Sequence, residues 1–94
     1  MTKIRVEETG PEEFQVLVAD SKSERSYRVT LKRADYDRIA AGKVEPAELI
    51  RRSFEFMLER EPKESILTRF DLPVISRYFP EYESEMERRI SEKA

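Results

Sequence analysis

The stretch that most constrains the fold is residues 46–60, PAELIRRSFEFMLER. At about 100° per residue, its large apolar side chains fall within one helical arc of roughly 200°. They are Leu49, Ile50, Phe54, Phe56, Met57 and Leu58. One-sided packing needs a stripe nearer 100° wide. We therefore predict a helix covered from two sides, by a sheet and by other helices, with small Ser53 allowing a close approach.

The chain before this helix has the period of β-strands. Apolar and polar residues alternate over residues 3–8, 13–19 and 26–32. A Gly10-Pro11 turn separates the first two segments, and a polar loop of hairpin length separates the second from the third. Such short connections favour an antiparallel meander of three strands.

Helical periodicity governs the rest of the chain. The predicted helices cover about residues 34–41, 46–60, 62–70, 72–79 and 81–91. Ile66, Leu67 and Phe70 share one face of the third helix, and Asp71 is the predicted N-cap of the fourth. Tyr82 forms a thin stripe with Met86 and Ile90, which either docks or frays. The predicted class is α+β, a three-stranded antiparallel sheet followed by three to five helices.

Ninety-four residues predict a single domain, 1–94, whose tail from about residue 84 is the part expected to fray. With 38% hydrophobic and 40% charged residues, the core must be small. A chain of this length has modest stability, to which a dimer interface would add.

The composition excludes several chemistries. The chain has no His and no Cys, which removes Ser-His and Cys-His arrangements and the usual zinc sites. Two glycines cannot build a glycine-rich phosphate loop. Nearly all carboxylates lie on predicted polar faces, without a pocket to shift their pKa values. We expect no enzymatic activity, no cofactor, no metal and no small-molecule ligand.

The N-terminus lacks the apolar run of a signal peptide, and no apolar run is long enough to span a membrane. The absence of Cys fits a cytoplasmic chain. We therefore expect cytoplasmic localisation and no membrane partner. A net charge of −2 provides no field to attract nucleic acid non-specifically.

An aromatic cluster near the C-terminus is the candidate binding site. Tyr78 and Tyr82 flank Pro80, with Arg77 and Glu81 beside them. Aromatic residues bordered by charges are typical of an interface centre and its polar rim. We predict that these four residues contact a protein partner or a second copy of the chain. Core packing is the alternative interpretation, because a small domain needs large side chains to bury enough area.

Residues 27–60 resemble a ribbon-helix-helix DNA-binding domain, in which a strand such as YRVTLK pairs with its copy and enters the major groove. The resemblance implies that Arg28, Thr30 and Lys32 face the bases. The first helix is short for that fold, and Glu45 and Glu48 oppose a phosphate at the start of the second.

The phrase Ser53-Phe54-Glu55-Phe56-Met57-Leu58-Glu59-Arg60-Glu61-Pro62, with Glu64-Ser65-Ile66-Leu67 and Tyr78-Phe79-Pro80-Glu81-Tyr82, resembles a family of short prokaryotic proteins of unknown function. The similarity covers roughly residues 26–82 and implies no activity. The expectation is therefore a small non-enzymatic protein-interaction or regulatory module. A dimeric ribbon-helix-helix-like regulator of DNA is the alternative.

Overall fold

The computed structural model describes residues 2–93, with the backbone alone for residues 92 and 93. Three strands open the chain: β1 (Lys3–Gly10), β2 (Glu13–Ala19) and β3 (Glu24–Thr30). They pair antiparallel in chain order, and the predicted meander is confirmed. The alternation of side chains sorts the two faces of the sheet. Val16 and Tyr27 are opposite each other on the buried face, whereas Gln15 and Arg28 are opposite each other on the exposed face.

Four helices follow the meander. They are α1 (Arg33–Ala40), α2 (Pro46–Leu58), α3 (Ile75–Tyr78) and α4 (Tyr82–Lys93). Single 3₁₀ turns lie at Lys63–Ser65 and Leu72–Val74. In α4 the predicted stripe docks, because Tyr82, Met86 and Ile90 are all buried. This arrangement confirms the α+β class.

Helix α2 is packed from two sides, as its wide apolar arc predicts. Phe54 points to the sheet, where its ring centroid lies 5.1 Å from that of Tyr27 and 6.0 Å from that of Phe70. Phe56, two positions along and therefore on the opposite flank, lies 5.6 Å from the ring of Tyr82 at the start of α4. Both phenylalanines are completely buried.

Ser53 lies where α4 contacts α2. Its hydroxyl donates to the carbonyl oxygen of Leu49 at 2.8 Å. It also lies 2.6 Å from the hydroxyl oxygen of Tyr82 and 3.8 Å from the sulfur of Met86. A larger side chain at position 53 would push α4 away, so the expectation from the sequence is confirmed.

The predicted helix over residues 62–70 is wrong. After the 3₁₀ turn the chain runs extended and forms a fourth strand, β4 (Arg69–Asp71), parallel to β3. The amide of Arg28 donates to the carbonyl oxygen of Thr68 at 2.7 Å. This pairing satisfies backbone groups on the edge of β3, which a helix would leave unpaired. The sheet is therefore mixed and four-stranded, in the order β1-β2-β3-β4.

Asp71 does not cap a helix, contrary to the prediction. No side-chain capping bond is made at the 3₁₀ turn that follows it. Its carboxylate instead accepts a hydrogen bond from the hydroxyl of Thr30 at 2.7 Å, which ties β4 to β3. The predicted helix over 72–79 is reduced to the 3₁₀ turn and the four residues of α3.

Arg52 links α2 to α4 through a hydrogen bond. Arg52 of α2 is only 8% exposed although its side chain is charged. Its side chain donates to Glu48 at 2.7 Å and to the carbonyl oxygen of Arg89 at 3.3 Å. Hydrogen bonds from Arg51 and then from Arg52 lower the pKa of Glu48 from 4.5 to about 2.

We expect this carboxylate to contribute to the stability at low pH. A group whose pKa is lowered by folding stabilises the fold above its unfolded pKa, and the contribution is lost as the pH falls through its folded pKa. As the pH is lowered from about 5 to about 2, the free energy of unfolding of the Glu48→Gln variant should therefore fall by less than that of the wild type. Urea melts across this range measure the loss. The matched control is Glu87→Gln, which removes an exposed carboxylate of α4. If Glu48→Gln has the same pH dependence as the wild type, Glu48 makes no such contribution.

Candidate functional site

The two tyrosines of the predicted site have different environments. Tyr78, at the end of α3, is 64% exposed. Tyr82 is completely buried, as the core-packing interpretation predicts. Burial raises the pKa of the Tyr82 phenol, although the hydrogen bond with Ser53 acts in the opposite direction. Tyr82 shares the inner face of α4 with Met86, so helix periodicity places it in the core.

The charged neighbours of the tyrosines are both at the surface. Arg77 is exposed, and its guanidinium makes no ion pair with any residue in the described range. Glu81 is exposed and lies 3.3 Å from the Nε of Arg60. Its backbone carbonyl oxygen accepts from the amide of Glu85 at 2.9 Å, in the first turn of α4. Arg77 and Tyr78 therefore remain available to a partner, whereas Glu81 and Tyr82 support α4.

An apolar groove of about 170 Å³ lies beside Tyr78. The extended backbone after the 3₁₀ turn creates it, because successive side chains alternate in direction. Ile66 and Phe70 enter the core, and Leu67 between them is 48% exposed. Leu67 and Tyr78 are the large hydrophobic residues that are exposed in the described chain, and both line this groove.

Four buried side chains also line the groove, namely Met57, Ile66, Phe70 and Ile75, together with the half-buried Val74 and Phe79 and the exposed Ser65. Glu61 is the charged residue in the lining. Its carboxylate makes no hydrogen bond or ion pair to any residue that the structure describes. The groove therefore offers an apolar surface with one free negative charge beside it. This combination suits an apolar side chain accompanied by a cation.

The sequence did not reveal Leu67 as a site residue. We predicted that Ile66, Leu67 and Phe70 share a helical face over α2, and for Leu67 this is wrong. A signal was present, because Arg69-Phe70-Asp71-Leu72 alternates charged and apolar residues as a strand does. A strand over these residues would have removed Leu67 from the core face.

The residues of the DNA-binding alternative lie apart from this groove. Arg28 and Thr30 are on the open face of the sheet, and Lys32 is at the N-cap of α1. Strand β3 is paired on both sides, with β2 and with β4, so it cannot pair with its copy as the ribbon requires. Thr30 is also engaged with Asp71. The structure therefore does not form the two-stranded ribbon that the ribbon-helix-helix interpretation needs.

A single lysine, Lys63, pairs with two carboxylates at the 3₁₀ turn after α2. The side chain of Lys63 is 7% exposed, and its Nζ lies 2.6 Å from Asp20 and 3.1 Å from Glu64. The hydroxyl of Tyr27 donates to the carbonyl oxygen of Lys63 at 2.6 Å. The hydrogen bond with Asp20 is the main cause that raises the pKa of Lys63. A lysine that acts as a base or nucleophile needs a lowered pKa, so the geometry here is that of a structural tie.

Among the side chains that the structure describes, those of residues 2–91, no three Asp or Glu residues are placed so that they could share a metal ion. None of the helices within residues 2–93 is long and apolar enough to cross a membrane.

Comparisons with models of protein families, with curated proteins and with solved structures found no match to the chain.

Proposed function

We propose that this domain is a non-enzymatic protein-binding module whose groove takes a large apolar side chain from a partner protein. The observation that supports the proposal is the position of Leu67 and Tyr78. Both are exposed, whereas the other large apolar residues that the structure describes are buried or half-buried, and both line one groove. Exposed apolar residues that are clustered, rather than scattered, mark interaction surfaces.

The negative charge beside the groove indicates that the partner segment carries a basic residue next to its apolar side chain. Glu61 has no ion partner among the described residues, so it is free to pair with a lysine or arginine next to the bound side chain. A groove of about 170 Å³ accommodates one or two side chains. A short extended or helical segment with a single apolar anchor is therefore the occupant that fits, in the manner of other side-chain pockets at interfaces.

Panning a random peptide display library on the purified chain tests this proposal. We expect the enriched peptides to share one large apolar residue with a lysine or arginine beside it. For a labelled peptide of that type, Leu67→Ser and Tyr78→Ser should each raise the Kd at least about tenfold, or about 1.4 kcal/mol. Glu61→Lys should weaken the binding of basic peptides, because the introduced lysine repels their positive charge.

The matched control is Leu17→Ser, which removes a half-buried leucine from the open face of the sheet, away from the groove. It should leave the Kd unchanged. An absence of enriched peptides would contradict the proposal. Equal losses of binding for Leu17→Ser and Leu67→Ser would contradict it too, because the groove would then have no special role.

A further inference from the structure

Strand β1 leaves one long edge of the sheet open. It is the terminal strand of the order β1-β2-β3-β4 and pairs with β2 alone. Apart from that ladder, the backbone of residues 3–10 makes no backbone hydrogen bond within the described chain. An open edge of eight residues presents a row of free N–H and C=O groups to another strand. The opposite edge, β4, has only three residues.

The side chains of β1 carry complementary charges on one face. Arg5 and Glu7 are exposed on the open face of the sheet, opposite the uncharged Leu17 and Gln15 of β2. Neither makes an ion pair or a hydrogen bond with a side chain in the described range. Ile4 and Val6 lie on the other face, where they pack at the margin of the core and stay only half-buried.

We propose that a second copy of this chain binds at this edge, with its β1 antiparallel to the first. Val6 lies at the two-fold axis, opposite the partner's Val6. Arg5 then lies opposite the partner's Glu7, and Glu7 opposite the partner's Arg5, because antiparallel partners on one face are spaced two residues apart. On the other face the two Val6 side chains meet at the axis and lose exposed area, whereas Ile4 lies opposite the partner's Glu8.

Charge selects this register over its neighbour. A shift by one residue pair brings Lys3 opposite the partner's Glu7 but also places Arg5 directly opposite the partner's Arg5, and like charges directly opposite each other are destabilising. In the proposed register neither Arg5 nor Glu7 faces a like charge. Charged residues on an edge strand ordinarily prevent pairing, whereas here their order along β1 makes the edge complementary to itself in one antiparallel register.

Sedimentation equilibrium of the full chain up to about 0.5 mM tests the proposal. We expect the wild type to populate a dimer. Arg5→Glu places a carboxylate opposite the partner's Glu7, and Glu7→Arg places a guanidinium opposite the partner's Arg5. Each change should therefore raise the dimer Kd at least about tenfold. The double variant Arg5→Glu plus Glu7→Arg restores the opposite charges and should return the Kd to that of the wild type.

A mixture of the two single variants gives the sharpest readout. Arg5→Glu has two acidic residues at positions 5 and 7 of the edge strand, and Glu7→Arg has two basic ones there. The mixture should therefore form mixed dimers, although each variant alone is monomeric. Lys43→Glu, in the exposed turn before α2, is the matched control and should dimerise as the wild type does. Circular dichroism checks that each variant is folded.

Three outcomes would overturn the proposal. One is a wild type that stays monomeric over the whole concentration range. A second is a dimer that both single charge exchanges leave intact. The third is a dimer that Tyr78→Ser disrupts and Arg5→Glu does not, which would place the self-contact at the groove.

Discussion

Tyr82→Ala is expected to lower the free energy of unfolding by about 3–5 kcal/mol, the range for removing a fully buried aromatic ring. Tyr78→Ala is expected to change it by less than about 0.5 kcal/mol, as is usual for an exposed residue. The two tyrosines are four positions apart but differ in exposure, 0% for Tyr82 and 64% for Tyr78. Truncation of Tyr82 also removes the ring that contacts Phe56 and the hydroxyl beside Ser53.

Urea melts of both variants measure these losses. Tyr82→Phe separates the ring from the hydroxyl. It keeps the packing and should lose only about 0.5–1.5 kcal/mol, the contribution of one hydrogen bond, since the hydroxyl of Ser53 keeps its bond to Leu49. Similar losses for Tyr78→Ala and Tyr82→Ala would mean that α4 does not dock as described.

Phe54→Ala is expected to be as damaging, with a loss of about 3–5 kcal/mol. Phe54 is completely buried between α2 and the sheet, and its ring contacts both Tyr27 and Phe70. Domains of this kind have a total stability of about 5–15 kcal/mol. The truncation could therefore remove more than half of the stability, and the protein would become prone to unfolding on modest heating.

Arg51→Ala is the control on the same helix. Arg51 pairs with Glu48 and Glu55 on the outer side of α2, where its side chain is 38% exposed. Such a surface pair contributes at most about 1 kcal/mol. The comparison by urea melts tests the assignment of the helix faces. A loss for Arg51→Ala as large as that for Phe54→Ala would show that the outer side of α2 carries the packing.

The elements that the sequence predicts well are those with a long, regular period. The three strands of the meander alternate cleanly, and α2 has an arc too wide for one-sided burial, so both could be placed from residue order alone. The stripe of Tyr82, Met86 and Ile90 also predicts the buried face of α4. For Tyr82 the residue order supports two interpretations, an interface from the charged border of the aromatic cluster and a core position from the stripe, and the structure places it in the core.

Strand β4 was missed for a physical reason. A three-residue strand has no period of its own, and its stability comes from pairing with β3, which is distant in the sequence. Tertiary pairing of this kind overrides local propensity. The same pairing turns Leu67 outwards and creates the groove. The candidate site therefore could be predicted only in part, through the exposed Tyr78, since its other wall depends on a contact that residue order does not show.

The parallel pairing of β3 with β4 also affects the order of folding. Thr30 and Asp71 are 41 positions apart in the sequence. Bringing such distant residues together reduces the chain entropy more than closing the short hairpins of the meander does. We infer that β4 is added late, once α2 has docked on the sheet. Because Phe70 belongs to both β4 and the groove, the groove exists only in the completed fold. A partner bound there would therefore stabilise the whole domain against unfolding by mass action.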